Sequence, residues 1–286
     1  MNTASKKTLT QILNKYDLAP LKKFGQNFLC DSNIVEKIAD SMHLTGNESV
    51  LEVGPGLGAL TQAIARRAKR VVAVEIDKGL ICALKEILAD TPNVTVLEGD
   101  ILKTDIKKIA QEMLGGSFHA CGNLPYYITA PCILKLIESG AQSLTVMVQK
   151  EVAQRLSASP GSKNYGSLTA SVAYYAQPQT LFAVASGCFY PAPDVESAIV
   201  QINMGTPPFP VSRLSYTRMV RASFAMRRKT IYNNLLAEFL SAGAINPKQS
   251  ATDALASCGI GPALRAEDLS PQDFLHLAEW LDDNPL

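Results

Sequence analysis

From about residue 32 to 150 the chain alternates between short aliphatic runs and stretches whose apolar positions fall three and four apart. The first such stretch, "NIVEKIADSM" at 33–42, places apolar residues at 34, 35, 38, 39 and 42, which form one face of a helix. The runs "SVLEV" (49–53), "RVVAVEI" (70–76), "NVTVLEG" (93–99), "FHACGN" (118–123) and "SLTVMVQ" (143–149) read as strands buried on both faces. This βαβα rhythm predicts an α/β domain with a mostly parallel, doubly wound sheet. "TLFAVAS" (180–186) and "SAIVQINM" (197–204) follow without room for a helix, so the sheet is expected to end in an antiparallel hairpin. "GTPPFPV" (205–211) holds three prolines in seven residues and reads as a linker. Beyond it the period is helical at about 212–225, 229–240, 247–257 and 271–282, the last opening on Ser270, Pro271 and Asp273. The expected organisation is therefore a domain at 1–205, with a basic N-terminal arm, and a small all-helical domain at 206–286.

Composition narrows the class. Hydrophobic residues at 47% and charged residues at 19% of 286 describe a globular chain with a sizeable core. No apolar run reaches transmembrane length and the N-terminus is too polar for a signal peptide, so a cytoplasmic protein without membrane association is expected. The cysteines at 30, 82, 121, 132, 188 and 258 form no CxxC pair, and with histidines only at 43, 119 and 276 no metal site is expected. A monomer is the default expectation. The net charge of +1 hides an uneven distribution. Residues 1–30 hold Lys6, Lys7, Lys15, Lys22 and Lys23 against Asp17 alone, and 213–229 hold six basic residues and no acid. Two basic segments on a near-neutral chain suggest a polyanionic partner such as nucleic acid, with Lys22, Lys23, Arg221, Arg227, Arg228 and Lys229 as the candidate phosphate contacts. Arg218, Arg221 and Arg228 are expected near one helical face, with Met219 and Phe224 left for the core.

Candidate chemistry begins in "VLEVGPGLGALT", a strand, a glycine turn and a helix start. Gly54, Gly56 and Gly58 permit a tight turn and close approach to a ligand, although the spacing is not that of dinucleotide binders. The next strand ends at Glu75, where a carboxylate accepts both hydroxyls of a ribose. Asp100 follows the third strand and is placed to accept an adenine amino group. Together these residues describe a nucleoside-cofactor site, and on their own they leave NAD and S-adenosylmethionine undivided.

The fourth strand runs into Asn123-Leu124-Pro125-Tyr126. As structure, this is an ordinary strand exit. As chemistry, it is a grip for a flat molecule bearing an amino group. An exocyclic amine on adenine is a poor nucleophile because its lone pair is delocalised into the ring. If the Asn123 side-chain oxygen and the Leu124 carbonyl accept its two N–H groups, the nitrogen is drawn toward tetrahedral geometry and its lone pair is freed. Displacement on an activated methyl then needs positioning more than acid–base help. Tyr126 is expected to stack on the base, a contact worth roughly 1–3 kcal/mol. Phe189, in the proline-stiffened "CFYPAPDVESAIV", is the candidate second wall.

In order along the chain, "KKFGQNFLCD", "EVGPGLGALT", "VAVEID", "GNLPYYIT", "VQKEVAQRL", "FYPAPDVESAIV" and "FAMRRKTIYNNL" resemble the small-subunit rRNA adenine dimethyltransferases, the KsgA-like enzymes. The resemblance covers about residues 20–240. It implies a Rossmann-like methyltransferase domain with a helical C-terminal domain, and S-adenosyl-L-methionine as cofactor. It also implies dimethylation of N6 on two adjacent adenosines in the 3′-terminal hairpin loop of 16S rRNA, within an assembling 30S subunit. Carried over by position, the cofactor contacts fall on Asn27, Leu29, Gly54, Glu75, Asp100 and Asn123. Read from the residues alone, "QNFL" is a packing turn. Glu196 stands where the family often has Asp. The erythromycin-resistance 23S rRNA methyltransferases share most motifs, but usually carry Asn-Ile-Pro-Tyr and lack a close match to "RRKTIYNNL". A non-catalytic assembly or transcription factor of the same fold is the alternative outside enzymology, and the intact Asn123 motif and acid pair weigh against it.

Overall fold

The computed structural model describes residues 3–21, 24–205 and 212–285. They form two compact units, Met1–Ala153 with Gln179–Met204, and Gln154–Pro178 with Gly205–Leu286.

In the first unit, α1 (Lys6–Lys15) precedes β1 (Phe28–Leu29) and α2 (Ser32–Ser41). The alternation then runs β2 (Ser49–Val53), α3 (Ala59–Ala65), β3 (Arg70–Glu75), α4 (Lys78–Ile87), β4 (Val94–Glu98), α5 (Ile106–Met113) and β5 (Phe118–Asn123). It continues with α6 (Thr129–Glu138), β6 (Ala141–Gln149) and α7 (Lys150–Leu156), whose residues from Gln154 on belong, with α8 (Ser167–Ala173), to the second unit. β7 (Gln179–Val184), β8 (Phe189–Tyr190) and β9 (Ser197–Asn203) return to the first. Seven strands make one sheet in the order β4-β3-β2-β5-β6-β9-β7. The first five are parallel, and β9 pairs antiparallel with both β6 and β7. β2 is buried at every position, as a central strand covered on both faces must be. The order reverses between β2 and β5, so the strand ends there open onto a crevice where such folds bind ligands. Gly122 makes that close pairing possible: a Cβ at this position would lie 2.3 Å from the Val53 carbonyl oxygen.

Three elements of this unit, α1, β1 and β8, are additional to those the hydrophobic pattern predicts. The basic N-terminal stretch folds as α1, capped by Ser5 Oγ accepting from Thr8 N at 3.2 Å. It buries Leu9, Ile12 and Leu13 against Phe28, Leu57, Leu80 and Ala83. The connection from β7 to β9 contains β8, which pairs antiparallel with β1 in a separate two-stranded ribbon.

The second unit adds α9 (Arg213–Ser223), α10 (Ile231–Ser241), α11 (Pro247–Ser257) and α12 (Pro271–Asp283). α12 starts as its sequence dictates. Ser270 Oγ accepts from Asp273 N at 3.2 Å, and Asp273 Oδ2 accepts from Ser270 N at 2.7 Å, a reciprocal capping box. The helices pack around Tyr216, Met219, Leu235, Phe239, Phe274 and Leu277, all buried. Tyr165, Ala170 and Tyr174 join the same core, and Tyr216 Oη donates to the Ala170 carbonyl at 2.7 Å. This apolar face groups 154–178 with the helices, whereas the pattern of strands alone assigns it to the first domain. The linker expected at 206–211 lies outside the described residues. Among the described residues no helix is long and apolar enough to cross a membrane, and no group of three or more His, Cys, Asp or Glu is arranged to hold a metal.

Candidate active site

The glycine turn between β2 and α3 places Gly54, Gly56 and Gly58 at φ of 65°, 59° and 78°, values that a side chain disfavours. Gly54 N donates to the Val74 carbonyl at 3.0 Å, which ties the turn to the neighbouring strand. A Cβ on Gly56 would come within 3.0 Å of the Phe28 ring, so this glycine makes room for β1.

Glu75 closes β3 and is only 4% exposed. Its Oε1 accepts from Ile76 N and Asp77 N, each at 2.9 Å, and its Oε2 accepts from Gly56 N at 3.1 Å. Burial nevertheless raises its pKa, outweighing the three backbone donors that favour the anion. The carboxylate is thus fixed by the turn it helps to build, and Oε2, which accepts a single bond, retains a lone pair. Asp100, two residues beyond β4, accepts from Leu102 N at 2.9 Å through Oδ1, with Lys103 Nζ 3.9 Å from Oδ2.

At the end of β5, Asn123 Nδ2 donates to the Asn27 carbonyl at 2.8 Å. The amide's remaining acceptor is its Oδ1. Leu124 is buried and its N–H donates to the Met147 carbonyl at 3.1 Å, holding the next peptide against β6. Pro125, at φ −57°, starts a short 3-10 turn over Tyr126–Ile128. Tyr126 shares a hydrogen bond of 2.9 Å with Ser197 Oγ, which anchors its phenol.

One cavity is lined by Asn27, Gly54, Glu75, Asp100 and Asn123, joined by Phe24–Gln26 and Tyr127. Five of the expected cofactor positions are thereby brought together. The side chain of the sixth, Leu29, belongs to the core, which leaves only its backbone for a ligand. "QNFL" both packs, through Phe28 and Leu29, and lines the cavity, through Gln26 and Asn27. Two acids at successive strand ends beside a bare glycine turn suit the hydroxyls and amino group of an adenosyl moiety, so the residues present fit S-adenosylmethionine.

Phe189 is a correction. It is 3% exposed and packs with Leu29, Met147 and Ile199, because the β1–β8 register sets it directly opposite Leu29 on the core side. A ring so enclosed offers no face to a base. Tyr127 is the aromatic residue the motif reading passed over: it is 59% exposed and lines the cavity. Burial and the charges of Asp100 and Glu75 raise its pKa. The doubled tyrosine in "LPYYIT" was the available signal.

The basic row also changes. α9 ends at Ser223, so Arg228 is not on the helix with Arg218 and Arg221. Arg218 Nε pairs with Glu238 at 2.6 Å and Arg227 Nε with Glu267 at 3.1 Å. Arg221, Arg228 and Lys229 are exposed and make no ion pair among the described residues, and Met219 and Phe224 pack in the core as expected. Lys22 and Lys23 lie outside the described residues.

Behind the glycine turn, Glu52 is 1% exposed, and its Oε2 has no hydrogen-bond partner among the described residues. Burial pushes this carboxyl up to about 7, against the opposing pull of the Thr61 hydroxyl, with the Glu75 charge adding a little.

A rigid acceptor amide beside a nucleoside cavity has a use in alkylating an amine and none in hydride transfer. Fold and site together define a Rossmann-like, S-adenosylmethionine-dependent methyltransferase. The chain as a whole is more specific: it belongs to the ribosomal RNA adenine dimethylase family, whose model matches residues 6–283. It is 42% identical over 283 residues to ribosomal RNA small subunit methyltransferase A of Lachnoclostridium phytofermentans, covering 97% of each chain. To the protein of that name from Pelotomaculum thermopropionicum it is 40% identical, covering 96% of each. Among solved structures it is similar to a dimethyladenosine transferase from Plasmodium falciparum, with a TM-score of 0.72 and 27% identity over 88% of this chain and 96% of that one. It also resembles the 23S rRNA methyltransferase ErmE, with a TM-score of 0.65 and 29% identity over 90% and 100%.

Proposed function

We propose that the protein dimethylates N6 of two adjacent adenosines in the 3′-terminal hairpin loop of 16S rRNA, acting on the assembling 30S subunit. The observation that carries this reading is the Asn123 amide, held by the Asn27 carbonyl at 2.8 Å so that its oxygen is the group left for a substrate amine. Bound S-adenosylmethionine supplies an electrophilic methyl group. Glu75 and Asp100 hold the cofactor's nucleoside, and Asn123 Oδ1 and the Leu124 carbonyl accept the N–H groups of the target. That pairing withdraws the nitrogen lone pair from the ring and points it for in-line attack. Once methylated, the nitrogen is a strong acid and water removes its proton. No histidine lines the cavity among the described residues, in keeping with chemistry that needs no side-chain base. Tyr126, and Tyr127 in the place first given to Phe189, supply aromatic faces for an extruded base. Arg221, Arg228 and Lys229 supply phosphate contacts, which position RNA without reading its sequence.

Two features favour the small subunit over the large: relatives named for the small subunit match at 42% identity, and the tetrad carries Leu124. Labelled methyl transfer to purified small-subunit and large-subunit particles tests the choice. N6,N6-dimethyladenosine in the small-subunit RNA alone is the expected product. Label in large-subunit RNA would assign the chain to the other branch, and no label in either would remove the catalytic reading.

A further inference from the structure

Phe24–Asn27 lines the cavity, and hydrogen bonds on consecutive residues set its position. Gln26 uses both ends of its amide. Its Oε1 accepts from Leu21 N at 2.8 Å, and its Nε2 donates to Asp77 Oδ2 at 2.7 Å. Asp77 is the N-cap of α4, where its Oδ1 accepts from Gly79 N at 2.9 Å, and its own N–H donates to Glu75 Oε1 at 2.9 Å. One residue on, the Asn27 carbonyl takes the Asn123 Nδ2 proton. A continuous chain of bonds therefore runs from the end of β3, through a side-chain amide, to the amide at the end of β5.

The two orientations of the Asn123 amide differ only in which end meets the substrate. With Oδ1 toward the target amine, acceptor meets donor. With the amide flipped, its NH₂ meets the amine's own N–H groups, and Oδ1 meets the Asn27 carbonyl, so both contacts are repulsive. The selection works only while the Asn27 carbonyl stays in place, and that carbonyl sits on a loop outside the sheet. Gly25, at φ 60°, is the residue before the tether and allows the loop to turn there.

We propose that Gln26 is a positioning residue for methyl transfer: anchored on Asp77, it holds the Asn27 carbonyl where that carbonyl fixes the orientation of the Asn123 amide. The inference rests on the reading of Asn123 given above and extends it to residues that touch neither the cofactor's methyl group nor the base.

Exchanging donor and acceptor across the tether provides the test. Gln26→Glu places a carboxylate against Asp77 and breaks the bond. Adding Asp77→Asn restores it in reverse, because the new amide at position 77 donates to the new carboxylate at position 26. The helix cap on Gly79 and the contact with Leu21 both survive, and the charge of the pair is unchanged. Single-turnover rates are measured with cofactor and RNA saturating, alongside affinity for S-adenosylhomocysteine by calorimetry. Gln26→Glu is expected to slow the saturated rate by on the order of tenfold to a hundredfold, as small misplacements of reacting groups do. The double variant is expected to recover to within about threefold of wild type, since the two residues act as one unit. Gln26→Ala, which removes the bond without adding charge, should slow the same step. A wild-type rate in the Gln26 variants overturns the proposal, and so does a loss that the double variant fails to recover. Asn123→Ala in parallel separates the layers. If it is slow while Gln26→Glu is normal, only the tether is wrong. If it too turns over normally, the reading beneath has failed.

Discussion

At the scale of single residues, the account turns on what a side chain is already bonded to. Asn123 gives its NH₂ to Asn27, so Asn123→Ala loses the acceptor for the target amine. By analogy with removing one oxyanion-hole donor, single-turnover methylation should fall about 10²–10³-fold. Asn123→Asp should be as poor, because a carboxylate would face the Asn27 carbonyl with no proton to share. Rates within a few-fold of wild type for either variant would refute the geometry. Glu52 makes a separate prediction. Its folded pKa of about 7 lies above the ordinary carboxylate value, so between those limits the folded state holds more protons than the unfolded one. Stability contributed by the protonated carboxyl is complete below the unfolded pKa and is lost as pH rises through the folded one, on the order of 3 kcal/mol in all. Glu52→Gln should be flatter than wild type across about pH 4.5 to 7 in urea titrations. Parallel curves for the two proteins would show that Glu52 does not titrate there.

At the scale of elements, register decides what a residue can do. Phe189 reads as a binding-site aromatic in the sequence, yet β8 sets it opposite Leu29 in the core. Phe189→Ala should therefore destabilise the protein by roughly 3–5 kcal/mol, as for other buried aromatics. A melting temperature close to wild type with methylation abolished would return the residue to the binding site. The same contrast explains what could be read in advance. The five parallel strands were legible because each is a short run of mostly apolar residues, and Glu75 and Asp100 were legible because acids close or follow two of those runs. β1 and β8 are two residues each, too short to show any period, and their pairing joins segments about 160 positions apart. α1 is obscured because polar and charged residues dominate it, leaving Leu9, Ile12 and Leu13 as a narrow apolar stripe. The Gln26–Asp77 and Asn27–Asn123 bonds had no signal at all, since a hydrogen bond across 51 or 96 positions leaves no local pattern.

At the scale of the whole molecule, a net charge of +1 leaves RNA affinity to local basic groups. Arg218 and Arg227 are occupied by Glu238 and Glu267, so the cations left for phosphates in that segment include Arg221, Arg228 and Lys229. Replacing these three by Ala should weaken particle binding and lower the slope of log affinity against log salt by about 0.7–0.9 per lost contact. Cofactor affinity should not change. An unaltered slope would place the RNA on other residues. The central claim, adenosine dimethylation in small-subunit rRNA, is tested most directly by reverse-transcription mapping of rRNA from cells with and without the gene. Two methyl groups on N6 block the pairing edge of adenine and stop the polymerase. The account predicts stops at two adjacent adenosines near the 3′ end of 16S rRNA that vanish without the gene, return with the wild-type copy and stay absent with Asn123→Ala. Stops in 16S rRNA that persist without the gene, or that disappear from 23S rRNA instead, would contradict it.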